Sequence, residues 1–293
     1  MYHGFTDTEN KGIKNCLGLH LDINKFREQM EYLDKYYNVI SLEQLVNYYN
    51  NIQGYRLPPN PIVITIDDGY KSNYTLAYPV FKQFNIPATI FIATNFVDKK
   101  ETLWVDKIGM DETIEDNAHY YALINKIKST PQEKIGEELK HLKTPSNIPE
   151  IYKPLEWRDI KEMIKSRLIT IGDHTCSHSI LTHCKSETME KEISLSKKVI
   201  EDNTMIPCRL FSYPNGSVGD FNAETKALLK KSGYSCALTT IEGMNDKYSD
   251  VFELKRFGVD NREDLIMFIM TLSGVLQFFM NMRHLIKKLL RRF

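Results

Sequence analysis

Two aspartates and two histidines have the residue types and spacing of a divalent metal site. Asp67 and Asp68 end an apolar run, residues 61–70, which reads PIVITIDDGY, and His174 and His178 are four residues apart. Adjacent carboxylates at the end of a buried strand repel each other, so a cation or a proton is expected beside them. Two imidazoles and one carboxylate form a facial ligand set that leaves positions open for water and substrate.

Gly69 suggests how both aspartates could reach one cavity. Successive residues of a regular strand point to opposite faces, so Asp67 and Asp68 would diverge if the strand continued. A glycine at the next position permits an immediate turn. One carboxylate could then bind a metal ion while the other accepts a proton. In the alternative interpretation the histidines are solvated, the aspartate caps a helix, and there is no metal site.

The elements that must position these residues are short β-rich runs separated by helical patterns. Such alternation is typical of a sheet built from βα units, and seven strands are enough to close a barrel. Strands are predicted at residues 2–5, 62–66, 88–93, 168–171, 209–213, 235–239 and 254–259. Helices are predicted at residues 24–36, 42–49, 73–84, 158–165, 188–202, 223–231 and 262–272.

Residues 98–156 interrupt this alternation. The interval is polar and mostly helical in pattern, with no convincing strand. A long insertion between two strands could shape a substrate cleft, or it could be an inert helical decoration. Trp104 and Trp157 lie near its two ends, where an exposed indole could stack on a bound substrate and a buried one would belong to a core.

Three stretches, in order, resemble the first three motifs of the polysaccharide deacetylases, which are carbohydrate esterase family 4 and share the NodB homology domain. They are TIDDG at residues 65–69, HTCSH at residues 174–178 and FSYPNG at residues 211–216. With softer matches the resemblance covers about residues 2–268. It implies an α/β fold, a deformed (β/α)₇ barrel over residues 1–273. The barrel core would lie at about 60–260, with the helical insertion between strands 3 and 4.

The resemblance also implies roles for the matched residues. Asp68, His174 and His178 match the metal-binding triad, with Zn²⁺ as the expected ion, and Asp67 matches the catalytic base. The implied reaction removes an N-acetyl group from an amino sugar of a polysaccharide, oligosaccharide or glycolipid precursor. It is a metal-dependent hydrolysis of a non-peptide carbon–nitrogen bond that releases acetate and a free amine.

The third motif is expected to contact the reacting group. The backbone N–H of Asn215 would help to hold the oxyanion, and Tyr213 and Pro214 are predicted to bind substrate. Ser212 stands where much of the family has an arginine that orients the base. Arg209 lies three residues upstream and should face the opposite side of the strand, so it is not expected to replace that arginine.

The source of the leaving-group proton is also open, because the family's late Leu-x-His motif has no clear counterpart. His3 is a candidate catalytic acid, and the alternative is a hydrogen-bonded structural histidine. Because the motif arginine and the late histidine are both missing, two other functions remain as alternatives. One is a catalytically weak or inactive glycan-binding barrel in a glycan assembly pathway, and the other is a deacylase of a non-sugar amide.

Composition narrows the cellular context. The chain has 38 Lys+Arg and 38 Asp+Glu residues, so it lacks the global basic field of many nucleic-acid-binding proteins. Its five cysteines are an odd number and widely spaced, which favours free thiols. No signal peptide or membrane-spanning run is recognised, so a cytoplasmic location is expected.

The C-terminal residues 274–293 are predicted to form a basic amphipathic helix. Residues 275–293 contain five lysines and arginines and no acidic residue. Such a helix could lie on the anionic inner face of a membrane, where a lipid-linked sugar would be a natural substrate. Alternatively, it could dock on the barrel by its apolar face.

Overall fold

The described chain forms a curved parallel β-sheet surrounded by helices. The computed structural model describes residues 1–7, 15, 17–51, 54–111, 113–114, 116–143, 145, 148 and 152–275. The strands are β1 (Gly4–Thr6), β2 (His20–Asp22), β3 (Asn38–Val39), β4 (Pro61–Ile62), β5 (Thr65–Ile66), β6 (Ala88–Ile92), β7 (Ile169–Asp173), β8 (Leu210–Ser212) and β9 (Cys236–Leu238). The α-helices are α1 (Ile23–Tyr36), α2 (Leu42–Tyr49), α3 (Tyr78–Phe84), α4 (Thr94–Lys99), α5 (Trp104–Met110), α6 (Asn117–Lys128), α7 (Gln132–Leu139), α8 (Trp157–Lys165), α9 (Ser186–Thr204), α10 (Ala223–Lys231) and α11 (Leu265–Leu272).

Five strands, in the order β5-β6-β7-β8-β9, form the central sheet, and every neighbouring pair is parallel. Single parallel bridges extend this sheet at both ends. Tyr2 bridges to Ile66 beside β5, and Leu254 bridges to Leu238 in β9. The chain segments around residues 2 and 254 therefore occupy the places of a first and a seventh strand.

Hydrogen bonds between these two segments join the ends of the curved sheet. The N–H of Val259 donates to the carbonyl oxygen of Met1 at 3.0 Å, and the amino terminus of Met1 donates to the carbonyl oxygen of Phe257 at 2.8 Å. The predicted deformed barrel is confirmed in this form. The predicted strand at 254–259 is wrong in detail, because only Leu254 bridges to the sheet.

The faces of the sheet pack into separate apolar clusters. All five residues of β6 are buried, as expected where helices cover both faces of a parallel strand. Ile90 and Ile92 join the largest cluster, whereas Phe91 points the other way and joins a cluster with Leu210 and Leu238. Burial of both faces leaves the C-terminal ends of the strands as the edge where polar groups can gather.

The predicted helices are found close to their predicted bounds. α2 and α10 have the predicted bounds, and Ser41 and Asn222 cap them with side chains that accept backbone N–H groups. A π-helical turn at Asn73–Ala77 precedes α3, so the predicted helix 73–84 has two parts. The predicted strand at 62–66 is divided into β4 and β5. The strands β2 and β3 were not predicted, because two or three residues are too few to show a period.

The insertion is helical where it is described, with α5, α6 and α7 lying between β6 and β7. Its residues Trp104, Ile108 and Ile124 belong to an apolar cluster that also contains Tyr70 and Phe96 from outside the insertion. In the described ranges no helix is long and apolar enough to cross a bilayer. The predicted C-terminal helix lies outside the described residues from position 276 onward, so the proposed domain boundary near residue 273 stays a prediction.

Candidate active site

The candidate site lies at the C-terminal ends of β5, β7 and β8. Asp67 and Asp68 follow β5, His174 follows β7, and Ser212 is the last residue of β8. Parallel neighbours bring these ends to one edge of the sheet, which is where a barrel places its functional groups. His178 lies on the loop after β7, here called the histidine loop (residues 174–178).

The turn after β5 is left-handed at two successive residues. Asp68 has φ 78° and Gly69 has φ 90°, values that favour glycine. A Cβ atom at position 69 would lie 2.9 Å from Cγ2 of Ile92, so a larger residue would meet the neighbouring strand. The turn predicted from the sequence is therefore present, and it lets Asp67 and Asp68 serve different partners.

Asp68, His174 and His178 converge. Oδ1 of Asp68 lies 3.3 Å from Nε2 of His178 and 3.6 Å from Nε2 of His174. One potential ligand atom from each residue lies within 4.8 Å of the others. Oδ1 of Asp68 is buried and has no hydrogen-bond partner among the described residues. An unsatisfied buried carboxylate oxygen facing two imidazoles fits a divalent cation, so these residues could hold one.

The electrostatics of this cluster also fit a cation. Burial, followed by the negative charges of Asp67 and Asp106, raises the pKa of Asp68 well above its ordinary value. Burial lowers the pKa of His174 and of His178, so both imidazoles are neutral near pH 7. Neutral imidazoles ligate metals, and a nearby cation would favour the ionised carboxylate.

Ser212 fixes the orientation of His174. Nδ1 of His174 lies 2.7 Å from the carbonyl oxygen of Ser212, which can only accept, so Nδ1 carries the proton and donates it. Nε2 is then the unprotonated nitrogen, and it is the atom nearest to Asp68. This arrangement is the usual outer support of a metal-ligating histidine.

Asp173, the last residue of β7, supports the histidine loop. Its carboxylate accepts the backbone N–H of Thr175 at 2.7 Å and the hydroxyl of Ser196 at 2.7 Å, and the hydroxyl of Tyr234 also donates to it. Thr175 and His178 have φ values of 66° and 57°. Three donors on one buried carboxylate thus hold a loop whose backbone is left-handed at two non-glycine positions.

Asp173 should also make stability depend on pH. Burial raises its pKa from 3.8 to about 7, because it outweighs the three hydrogen bonds and the charge of Lys197, which lower the pKa; the folded state therefore keeps a proton that the unfolded state has already released between these values. The free energy of unfolding therefore falls as pH rises through this window, by at most about 1.4 kcal/mol per pH unit. Asp173→Asn cannot titrate, so its stability deficit relative to the wild type should shrink from about pH 4 to about pH 7. Urea unfolding of both proteins across this range measures the difference, and a deficit independent of pH would contradict the assignment.

Arg256 holds Asp67 with two parallel hydrogen bonds. Nη1 donates to Oδ1 of Asp67 at 2.8 Å, and Nη2 donates to Oδ2 at 2.7 Å. Nη2 also donates to the hydroxyl of Ser212 at 2.9 Å, and that hydroxyl donates to Asp67 at 3.2 Å. Burial raises the pKa of Asp67, but the charge and hydrogen bonds of Arg256, together with His174 and His3, hold the pKa below its ordinary value. Asp67 is therefore an oriented, ionised carboxylate, the form that a general base requires.

The expectation of a base without an orienting arginine is thus wrong. Arg209 is exposed, which agrees with the prediction that it faces away from Ser212, and Arg256 reaches Asp67 from the segment that closes the barrel. Nε of Arg256 donates to the carbonyl oxygen of Thr239, which fixes the guanidinium plane. The sequence motifs assign no role to Arg256, which lies in the predicted strand at residues 254–259. The barrel topology could have indicated this role, because a seventh strand that closes a barrel must lie beside the first strand.

His3 lies near the same groups and remains a predicted acid. It is half-buried, and its carbonyl oxygen accepts a hydrogen bond from Nδ2 of Asn73 at 2.7 Å. Burial lowers the pKa of His3 to about 4, with the charge of Asp67 opposing and that of Arg256 adding to this shift. His3 is therefore neutral near pH 7 and would have to receive a proton during a reaction before giving one up.

The third motif contains a half-buried residue, Asn215, and a core residue, Tyr213. Asn215 has φ 60°, and its side chain donates to Asp220 at 2.5 Å while its carbonyl oxygen accepts from Thr240 at 2.6 Å. These contacts use the side chain and the carbonyl oxygen of Asn215 and not its backbone N–H. Tyr213, in contrast, is 1% exposed, and its hydroxyl donates to the carbonyl oxygen of Phe252 at 3.1 Å. The structure therefore places Tyr213 in the core instead of on the predicted substrate surface; Pro214 is buried beside it.

The two tryptophans differ in their surroundings. Trp104 is 8% exposed and belongs to the cluster of the insertion, with its ring 6.2 Å from the ring of His178. Trp157 is half-buried, and its Nε1 donates to Oδ1 of Asp98 at 2.9 Å. The core interpretation of Trp104 is therefore the better one, although this core lies directly beside the metal cluster.

Comparisons with known proteins agree on one family. The model of the family described as polysaccharide deacetylase matches residues 54–237. The chain is 26% identical over 198 residues to YxkH of Bacillus subtilis, a protein named for the polysaccharide deacetylases, covering 68% of this chain and 51% of that protein. It is 24% identical over 186 residues to a poly-β-1,6-N-acetyl-D-glucosamine N-deacetylase of Staphylococcus aureus, covering 61% of this chain and 47% of that protein.

A solved structure shares the fold over nearly the whole chain. The deacetylase PplD of Streptococcus pyogenes, solved in complex with acetate, superimposes with a TM-score of 0.66 at 17% identity. The match covers 93% of this chain and 96% of that one. The chain spans about half the length of the two curated relatives described above.

Proposed function

The chain belongs to the polysaccharide deacetylase family, and on that premise we propose that it removes N-acetyl groups from amino sugars of a glycan by metal-dependent hydrolysis. The observation that carries this proposal is the pairing of Asp67 with Arg256 beside the convergent Asp68, His174 and His178. A metal site alone would need only Asp68, His174 and His178. An ionised carboxylate, oriented and kept free of the cluster, is what a hydrolase adds.

Asp68, His174 and His178 would hold the cation, with Zn²⁺ proposed because two imidazoles and one carboxylate suit it. When bound, such an ion supplies Lewis-acid polarisation of the acetamide carbonyl and a lowered pKa for a coordinated water. Three protein ligands leave a coordination position for these groups. The neutral imidazoles and the buried Asp68 carboxylate support this assignment.

The chain's other residues would then carry out the proton transfers and hold the developing charge. Asp67 accepts a proton from the attacking water, and Arg256 keeps the carboxylate ionised and correctly turned. The backbone N–H of Asn215 donates to the oxygen that becomes negatively charged on the former carbonyl. The proton must finally reach the leaving nitrogen, and His3 is the proposed carrier because its imidazole interacts electrostatically with Asp67.

The proposed substrate class is a polymer or oligomer of N-acetylated hexosamine. Support comes from the Staphylococcus aureus relative, which is named for its action on poly-β-1,6-N-acetyl-D-glucosamine. A direct test compares acetate release by the metal-loaded protein from three kinds of compound: N-acetylglucosamine oligomers, O-acetylated glycans and small N-acetyl amides without a sugar. The proposal expects release from the first only. Release from the non-sugar amides alone would favour the alternative deacylase.

The second candidate, a glycan-binding barrel without activity, loses one of its two supports. It rests on the apparent absence of an arginine beside the base and on the absence of the late Leu-x-His motif. Arg256 donates to both carboxylate oxygens of Asp67, so a base-orienting arginine is present. A binding barrel would retain glycans without releasing acetate, and the same assay measures this.

We also propose a cytoplasmic location with peripheral binding to an anionic membrane face. Support comes from the five basic residues and absence of acidic residues among positions 276–293, which follow α11. Seven of the eight residues of α11 are apolar, and Ile266 is 67% exposed.

Vesicle sedimentation tests the membrane proposal. The full chain should sediment with vesicles containing anionic lipids, less so at high salt, and not with neutral vesicles. Ile266→Ser should weaken this binding. Met205→Ser, at an equally apolar position that is 85% exposed after α9, should not. Equal sedimentation with anionic and neutral vesicles would contradict the proposal. No sedimentation with either kind of vesicle would favour docking of residues 274–293 on the barrel.

A further inference from the structure

Tyr70 links the turn that carries Asp68 to the insertion. Tyr70 is fully buried two residues after Asp68, and its hydroxyl donates to the two carboxylate oxygens of Asp106 at 2.9 and 3.1 Å. Asp106 lies in α5 of the insertion and is 6% exposed. The ring of Tyr70 is also packed between the rings of Phe96 and His20, at centroid distances of 5.4 and 4.9 Å. A buried hydrogen bond at this position restricts where the turn can lie.

The far end of the insertion holds the same turn through its backbone. The N–H of Leu155 donates to the carbonyl oxygen of Gly69 at 2.9 Å, and Tyr70 forms an antiparallel bridge with Pro154. The N–H of Lys71 donates to the carbonyl oxygen of Lys153 at 2.5 Å. Both ends of the insertion therefore contact the residues immediately after Asp68.

The insertion also contacts the histidine loop. Nε2 of Gln132, the first residue of α7, donates to the hydroxyl of Ser177 at 3.1 Å, next to His178. Ser177 is held from the other side by Glu192, which accepts its hydroxyl at 2.7 Å and its N–H at 2.9 Å. Trp104 adds a ring contact to His178 itself. A single inserted segment therefore reaches both loops that supply the metal ligands.

From these contacts we propose that the insertion is a positioning element of the metal centre. The Tyr70–Asp106 hydrogen bond holds the turn of Asp68, and the Gln132–Ser177 hydrogen bond holds the histidine loop, so that affinity for a divalent cation depends on residues that do not touch it. This rests on the proposed function only in taking Asp68, His174 and His178 as ligands. Removing outer partners of metal ligands typically weakens affinity by about 10- to 100-fold. An inert decoration, the alternative left open by the sequence, would have no such effect.

The test is Zn²⁺ affinity, measured by competition with a chromophoric chelator on the full chain without substrate. Tyr70→Phe and Gln132→Ala should each weaken Zn²⁺ binding, by about 10-fold or more for Tyr70→Phe. Asp106→Asn retains an acceptor for the tyrosine hydroxyl, so it should bind Zn²⁺ more tightly than Tyr70→Phe does. The matched control is Tyr2→Phe, which loses a buried hydroxyl bond of 2.9 Å to Gln29 on α1. It should lower the unfolding midpoint and leave Zn²⁺ affinity unchanged.

A loss of Zn²⁺ affinity in Tyr70→Phe could come from a misplaced turn or from a buried Asp106 without its hydrogen-bond donor. A double-mutant cycle distinguishes these two causes. Tyr70→Phe and Asp106→Leu are measured singly and together, and the proposal expects their losses in Zn²⁺ affinity to be non-additive. Wild-type affinity in Tyr70→Phe and Gln132→Ala, or an equal loss in Tyr2→Phe, would overturn the proposal. Acetate release plays no part in this readout, so absence of deacetylase activity would refute the proposed function and leave this result standing. A wild-type chain that binds no divalent cation would overturn both.

Discussion

Asp67→Asn should reduce acetate release by about 10²- to 10⁴-fold, the usual contribution of a positioned general base. The amide has nearly the shape of the carboxylate but cannot accept the proton of the attacking water. Asp67 is also the acceptor for both Nη1 and Nη2 of Arg256, so one of these donors loses its partner. Steady-state acetate release from an N-acetylglucosamine oligomer measures the effect on kcat.

Metal binding and folding must be measured on the same variant. Asp67→Asn should retain Zn²⁺, because Asp68, His174 and His178 are the residues that converge on the candidate metal site. Asp202→Asn is a suitable control, since this aspartate pairs with Lys198 on the exposed face of α9. Unchanged acetate release by folded, Zn²⁺-loaded Asp67→Asn would show that Asp67 is not the base.

Arg256→Lys should lower the rate of acetate release nearly as much as Asp67→Asn does. It should also lower the free energy of unfolding. Arg256 donates to Asp67, Ser212 and Thr239 with a planar group that a single ammonium cannot reproduce. Both charges of the Asp67 pair are almost completely buried. Disturbing a buried ion pair by removing one partner costs about 3–5 kcal/mol, and Arg256→Met should approach this cost. Chemical unfolding and acetate release together separate the two effects.

The role of Arg256 can also be tested through the pH dependence of stability and of the rate of acetate release. Arg256 holds the pKa of Asp67 below its ordinary value of 3.8 despite burial. The stability from this pair is therefore present above about pH 4 and is lost as pH falls through the lower folded pKa. Weakening the pair raises the pKa of the base, so the acid limb of the rate profile should move to higher pH in Arg256→Lys. An acid limb that stays in place would contradict the assignment of Arg256 as the group that orients and ionises the base.

The metal cluster could be predicted from sequence because its residues follow strands directly. Asp68 and His174 stand at the ends of β5 and β7, and local rules place both at one edge of a parallel sheet. Arg256 could not be placed in this way, because the hydrogen bond that reveals its role spans 189 residues. Its segment joins the sheet by one bridge at Leu254, which leaves too little periodic pattern to fix which way residue 256 points.

Tyr213 was misplaced although a sequence rule was available. Ser212 faces the site, since it contacts both Asp67 and Arg256. Side chains alternate along a strand, so the next residue should face the other way, where Tyr213 stacks on Phe221. No such rule predicts the contact between Tyr70 and Asp106, because it joins a buried turn to a helix of the insertion and depends only on tertiary packing.

The most direct test of metal-dependent deacetylation at this site is a titration of chelator-treated protein with Zn²⁺ while acetate release from an N-acetylglucosamine oligomer is recorded. The described residues contain a single cluster suited to a metal ion, formed by Asp68, His174 and His178. The expected result is acetate release that rises in proportion to bound Zn²⁺, stops rising at one ion per chain and is absent in His174→Ala. Acetate release that survives complete removal of metal would contradict this account, as would a folded, Zn²⁺-saturated chain that releases none.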